Sequence, residues 1–329
     1  MTVAVRLTDA IIPQIFTGYM LEATKVNSAF FGSPAIADNA QLSGLLSGGG
    51  TTFNLPFWKD LADNESLIAS DDPDVFAVNQ KMTADKQVAV RQVRTQAWGT
   101  SRLVAELAGS DPQKAIASRV GEYWARQFDL YTISTIKALL LDNVANFASD
   151  MLYDISALTG TDANLSAYGV LEGKQTMGDA ANDLAVIVMH SRVATNLRQQ
   201  NLIQFIRPSE GGVNIPMYLD YQVVVDDRMP VAAGVYTTVL LGRGAIAYGE
   251  SPVARPVEVY ARPDAGNGMG ADYLYTRRQF GLHPMGYKWL GGSVAGQFPT
   301  AAELALAANW TRIFPERKQV PIAFIKSKG

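Results

Sequence analysis

The chain has 329 residues, of which 48% are hydrophobic and only 18% charged, with a formal net charge of -3. That length supports one large domain or two to three smaller ones, and a charged fraction below the roughly 25% of an ordinary soluble domain points to surface covered by partners. The absence of cysteine excludes disulfides, thiolate metal sites and a cysteine nucleophile, the mildly acidic balance lacks the basic footprint of a sequence-reading DNA binder, and no stretch offers the about 18 unbroken apolar residues of a membrane span.

In chain order, "MTVAVRLTDAIIPQIF" has no charged start followed by a long apolar core, so no signal peptide is expected. Residues 1–43 mix short apolar pieces with Pro and small polar residues and keep no long helical period, which predicts an arm lying on something else. Three glycines follow, in "GLLSGGGTTFNLPFWKDL". A phosphate loop needs a Lys and a helix opening directly behind it. Here Gly48, Gly49 and Gly50 lead into Thr51, Thr52 and Phe53 and then Pro56, so they predict a hinge feeding a strand over 51–58.

A second strand is expected over 84–98, with Val88 and Val90 in phase, Val93 out of phase, and a bulge or twist between them. The connecting segment carries Asp60, Asp63, Glu65, Asp71, Asp72 and Asp74, and the returning strand carries Lys81, Lys86, Arg91, Arg94 and Arg102. The expectation is a long ribbon with an acidic tip and a basic stem. An isolated two-stranded hairpin is marginal in water, so such a ribbon should lie on another chain.

Asp111 suits an N-cap and Pro112 the first helical position. Apolar residues then recur at Ile116, Val120, Trp124, Phe128, Tyr131, Ile136 and Leu140, which predicts a helix of about 30 residues and about 45 Å. Beyond residue 167 short elements alternate: helix, buried strand "AVIVMHS", helix, then the strands "YQVVVDDRMP" and "YTTVLLGRGAIAYGE". Two or three strands around a glycine-rich turn are expected over 255–290, a closing helix from Thr300, and a last strand in "QVPIAFI". The class is α+β.

Chemistry has little to work with. His190, Ser191 and Asp226 or Asp227 can be drawn as a triad, but no G-x-S-x-G elbow surrounds the serine. His283 precedes a proline at a strand boundary, and no metal-ligand motif occurs. No catalytic, cofactor-binding or metal residue is assigned.

The order of parts, together with "DAIIPQIF", "LPFWKDL", "LAGSDPQKAIASRVGEYW", "VIVMHSRV", "VVVDDRMP", "LLGRGAIAYGE" and "RRQFGLHPMGYKW", resembles the major capsid proteins of tailed phages with the Hong Kong 97-type fold. The resemblance implies an N-terminal arm over 1–50 and an extended β-hairpin loop over 51–100. It further implies a peripheral domain with a long spine helix over 101–174 and 253–299, and an axial domain over 175–252 and 300–329. It implies a shell subunit in a virion, assembled in the bacterial host cytoplasm as hexamers and pentamers around double-stranded DNA held without sequence specificity. Implied partners are a portal, a decoration protein and, because no fused segment precedes the arm, a separate scaffolding protein. Gly48 to Gly50 become the joint at which arm and loop turn, and the acidic tip is expected on a neighbour's basic surface that includes Arg277 and Arg278. Lys59, Lys81 and Lys86 have no evident partner for the Lys–Asn cross-link of some relatives, so none is expected. Two competitors are an encapsulin-like compartment shell and a cytosolic hydrolase using His190 and Ser191.

Overall fold

The computed structural model describes residues 33–329 except 62–63, 70, 75, 104–111, 201–202 and 207–214. It opens with strand β1 (Ile36–Asp38) and helix α1 (Ala40–Leu46), whose start is set by Asn39 Oδ1 accepting from Leu42 N at 3.0 Å. Three strands follow: β2 (Thr52–Trp58), β3 (Ala84–Val90) and β4 (Gln92–Ser101). Helix α2 (Pro112–Asn146) has 35 residues and a length of about 52 Å, longer than its apolar stripe alone foretold. Pro112 opens it as expected; Asp111 lies outside the described residues.

The chain continues through β5 (Leu152–Asp154), α3 (Ala167–Gln175), β6 (Leu184–Met189), α4 (Ser191–Gln199), β7 (Gln204–Ile206), β8 (Ile215–Tyr218), β9 (Tyr221–Val225), β10 (Val231–Ala232) and β11 (Val235–Gly242). It closes with β12 (Ile246–Ser251), β13 (Val257–Arg262), β14 (Ala271–Pro284), β15 (Tyr287–Trp289), α5 (Ala301–Leu304), β16 (Trp310–Arg312) and β17 (Ile322–Lys328).

Two sheets carry the structure. The larger has eight strands in the order β5-β17-β11-β6-β9-β8-β7, with β10 on β11. Its central strands are apolar on both faces because both are covered. Val186, Val188, Val239 and Phe324 join the core that contains Ile136 and Leu139 of α2. Ile187, Met189, Leu240 and Ile325, one residue out of step, join the core of Val170 from α3 and Val193 and Leu197 from α4.

The second sheet has five strands, β1-β12-β14-β13 with β4 on β14. The buried residues Leu274, Phe280 and Leu282 of β14 belong to the same core as Trp124 and Phe128 of α2. The long helix therefore serves both sheets, which is why Ala138 to Leu140, Asp142 and Asn143 are all buried. At its far end Arg312 of β16 grips Asp150 with two bonds, 3.0 and 2.8 Å, and lies over the Phe147 ring.

Four expectations change. Part of the expected arm is structured: α1 packs onto β12 and β14 through fully buried Leu42 and Leu46. Gly249 makes this approach feasible, since a Cβ there would lie 2.9 Å from Leu42 Cγ and from Ser43 N. The returning strand of the ribbon divides at Arg91; β3 pairs β2, whereas β4 joins β14 over Gln92 to Ser101. Strand β12, expected with the 175–252 unit, pairs β14 in the five-stranded sheet instead. The helix from Thr300 does begin with a capping box between Thr300 and Glu303, but it stops at Leu304, because Asn309 Nδ2 takes the Glu303 carbonyl at 2.8 Å and Trp310 turns away to pair Trp289.

His283, near the end of β14, is buried and bonds Gln87 of β3 through Nε2 at 2.9 Å. Burial lowers its pKa from 6.5 to about 4. The folded state thus keeps the ring neutral while the unfolded chain takes up a proton near 6.5, so this stability is fully present above pH 6.5 and is lost as pH falls toward 4. About 3 kcal/mol is at stake, of which about 2 kcal/mol is gone at pH 5. Urea midpoints at pH 7 and pH 5 should fall further for the wild type than for His283→Gln; equal falls would remove His283 as the cause.

Candidate functional site

Every described residue from 58 to 84 is exposed, and those from 59 to 83 form neither helix nor strand. Asp60, Glu65, Asp71, Asp72 and Asp74 lie on this loop, which so far agrees with an acidic tip; Asp63 lies outside the described residues. Local bonds shape its turns, Asp60 Oδ1 accepting from Leu61 N and Asp72 Oδ1 from Asp74 N. The loop is also apolar, with Ile68 89% and Phe76 83% exposed beside Trp58, Leu67 and Val78. Five large apolar side chains exposed along one loop are the signature of a partner surface.

The basic candidates separate into two groups. Lys81 and Lys86 are exposed. Lys59 pairs Asp85 at 3.1 Å, whose carboxyl is held below its ordinary range first by the Lys86 N–H and then by Lys59. Arg91 and Arg94 are instead structural. Arg91 Nη2 donates to Leu46 O and Gly48 O, while Arg94 lies 4.6 Å from the Tyr131 ring centroid and donates to Pro299 O.

The "RR" pair splits by strand alternation. Arg278 is buried, 3.2 Å from Glu250 and stacked near Trp124 and Phe128, so it is withdrawn from any docking surface. Arg277 points to the other face, where it pairs Glu258 at 3.0 Å and donates to Arg255 O at 2.9 Å. The Arg277 guanidinium, hydrogen-bonded to Glu258, keeps that carboxyl below its usual range.

That other face is open, since Thr95, Ala97, Gly99 and Tyr260 are exposed. Register sets Tyr273 beside Gly99 and Tyr260, and Tyr275 beside Ala97 and Glu258. Arg277 lies 5.8 Å from the Tyr275 ring, and Arg255 and Arg262 line the edge with Glu258 and Asp264 as partners. Three tyrosines and three arginines thus face outward over small β4 residues. The signal was present in the sequence as the alternation of "VEVYAR" and "ADYLYTRRQF".

At the joint, only Gly50 has a left-handed backbone, φ 104°; Gly49 has open space around its Cα. The triad does not form. His190 Nδ1 caps α4 by accepting from Arg192 N at 3.0 Å, and its Nε2 lies 3.8 Å from Asp227 Oδ1. The Ser191 hydroxyl bonds the same carboxylate, lowering its pKa, so serine and histidine both address the acid instead of each other. Asp226 faces away and is clamped by Arg228, with Nε at 2.9 Å. Among the described residues no group of acids and histidines is placed to hold a metal ion, and no helix is long and apolar enough to cross a membrane.

Comparison with known proteins agrees with this arrangement. The chain matches the family described as Gp13-like, major capsid protein 13-like, over residues 52–321. It is 36% identical over 323 residues to the major capsid protein of Bacillus phage SPP1, covering 95% of each chain. Among solved structures it is similar to the capsid of Ralstonia phage GP4, with TM-score 0.57, 10% identity, and 90% and 87% of the two chains covered. It is also similar to the cyanophage Pam1 capsid, with TM-score 0.55, 12% identity and 92% of each chain covered. The two sheets sharing one long helix form the α+β Hong Kong 97-type capsid fold, and the chain belongs to the Gp13-like major capsid protein family of tailed phages, as a structural shell subunit and not an enzyme.

Proposed function

We propose that this shell subunit assembles as hexamers and pentamers into an icosahedral head around double-stranded DNA, in the host cytoplasm, aided by a separate scaffolding protein, a portal and a decoration protein. The observation that carries the assembly reading is the exposed acidic and apolar loop, which no described residue beyond the stem covers. Its complement is the tyrosine and arginine face of the five-stranded sheet on a neighbouring copy, where Arg255, Arg262 and Arg277 take the place first given to Arg277 and Arg278. An apolar loop edged with acid fits an aromatic platform edged with arginine.

In this reading α2 and the five-stranded sheet, including β12, make the peripheral domain, and the eight-stranded sheet with α4, and with α3 moved out of the expected 101–174 unit because Val170 packs on that sheet, makes the axial one. Gly48 to Gly50 form the joint between body and loop. A contact from one copy's loop to the next copy's sheet is heterologous and closes into rings. Electron microscopy with nuclease protection on the same sample tests the whole. Closed shells protecting DNA are expected, and a small oligomer at every concentration and salt would overturn the reading.

A further inference from the structure

At the joint between loop and body one side chain bonds the end of α1 to the stem, beside the packing of Phe53 and Ala89 on Leu42 and Leu46. Arg91, the single residue between β3 and β4, donates from Nη2 to Leu46 O at 3.1 Å and to Gly48 O. These carbonyls close the C-terminal end of α1, where oxygens without intrahelical partners carry partial negative charge; the Leu46 oxygen also accepts from Gln279 Nε2 at 2.6 Å. The Arg91 backbone N–H donates to Thr51 O at 2.8 Å, so main chain and side chain both grip the segment across Gly48 to Gly50. Its guanidinium lies 5.0 Å from the Phe53 ring centroid, and its Nε is buried without a hydrogen-bond partner. On the other side of the stem, a cleft of about 340 Å³ separates Thr51, Thr52, Val88 and Val90 from Leu290, Val294 and Pro299.

We propose that Arg91 is a latch, locking the β2–β3 stem to α1 at the glycine joint, and that breaking its carbonyl bonds frees the stem to turn toward the cleft. The purpose rests on the capsid reading, because a loop that must reach a neighbour needs a joint that is firm in one state and free in another. Three features make the geometry suited to this. One nitrogen, Nη2, reaches both carbonyls while the guanidinium keeps its contact with the Phe53 ring, which a side chain without a cationic donor does not reproduce. The chain it crosses is glycine, so turning meets little steric resistance. The cleft leaves room beside the exposed Thr51 and Thr52, while Val88 and Val90 stay packed in the core. Outer ties, Gln87 to His283 at 2.9 Å and the Phe57 ring to Phe314 at 5.1 Å, set the closed position but lie beyond the pivot.

Hydrogen exchange on the full-length unassembled chain tests the latch. Arg91→Met and Arg91→Gln should each speed exchange of the β2 and β3 amides by about tenfold or more, since 1.4 kcal/mol is one decade, while β11 amides hold their rates. Unchanged stem amides, or equal acceleration in β11, would overturn it. Microscopy of wild-type particles reads the capsid function separately. Wild type without shells sinks that function whatever the exchange shows, and normal shells with a rigid Arg91→Met stem sink the latch alone.

Discussion

Trp124→Ala should cost about 3–5 kcal/mol in unfolding free energy, the range for truncating a large buried aromatic, and leave too little folded chain to assemble. Trp124 is 1% exposed and sits where α2 meets the five-stranded sheet. Its ring stands edge-on to Tyr123 at 5.5 Å, and its Nε1 donates to Thr276 Oγ1 at 3.2 Å. The Arg278 guanidinium lies 5.6 Å from the Trp124 ring. Truncation therefore opens a cavity and also strips a buried cation of one of its two aromatic faces, leaving Glu250 and Phe128 to hold it. Trp124→Phe keeps a ring and loses the N–H, so its denaturation midpoint should fall between those of the wild type and the alanine variant. A midpoint for Trp124→Ala within about 1 kcal/mol of wild type would mean the helix is not anchored through this residue.

The long helix was legible because two independent signals coincide, a proline at its first position and a stripe of large apolar residues at helical spacing. Helix α1 was not. It buries only Leu42 and Leu46, and the reason it sits there is Gly249, more than two hundred residues away. The break at Arg91 left a trace, Val93 falling out of phase, but a sequence does not say that the second half finds a new partner in β14. The closing helix was overestimated since Ala302 to Ala308 favours helix locally, while Trp310 is drawn into pairing with Trp289. Of the candidate docking residues, the acidic loop was readable from composition alone. Arg278 was misplaced because adjacency was taken for a shared surface, although strand alternation sends neighbours to opposite faces.

Reversing Asp71 and Asp72 to Lys should prevent shell formation at concentrations where the wild type assembles, while leaving the isolated fold intact. Both carboxylates are exposed, and Asp72 Oδ1 accepts from the Asp74 N–H in the same loop. Surface substitutions of this kind change folding free energy by less than about 0.5 kcal/mol, so a lost assembly would report the contact between copies. The expected effect is a rise of about tenfold or more in the concentration needed to assemble, about 1.4 kcal/mol per contact, larger at low salt than at high because exposed charges are screened. Arg255→Glu is the complementary change, on a side chain that is 77% exposed and pairs only locally with Glu258. Each reversal alone sets like charges against each other. Combined in one chain they restore attraction, and partial recovery of shells in the combined variant, seen by light scattering and microscopy, isolates the pairing from any effect on folding. Normal assembly of Asp71→Lys with Asp72→Lys at low salt would place the loop elsewhere, and an Arg255→Glu that fails to rescue would move the acceptor off the tyrosine face.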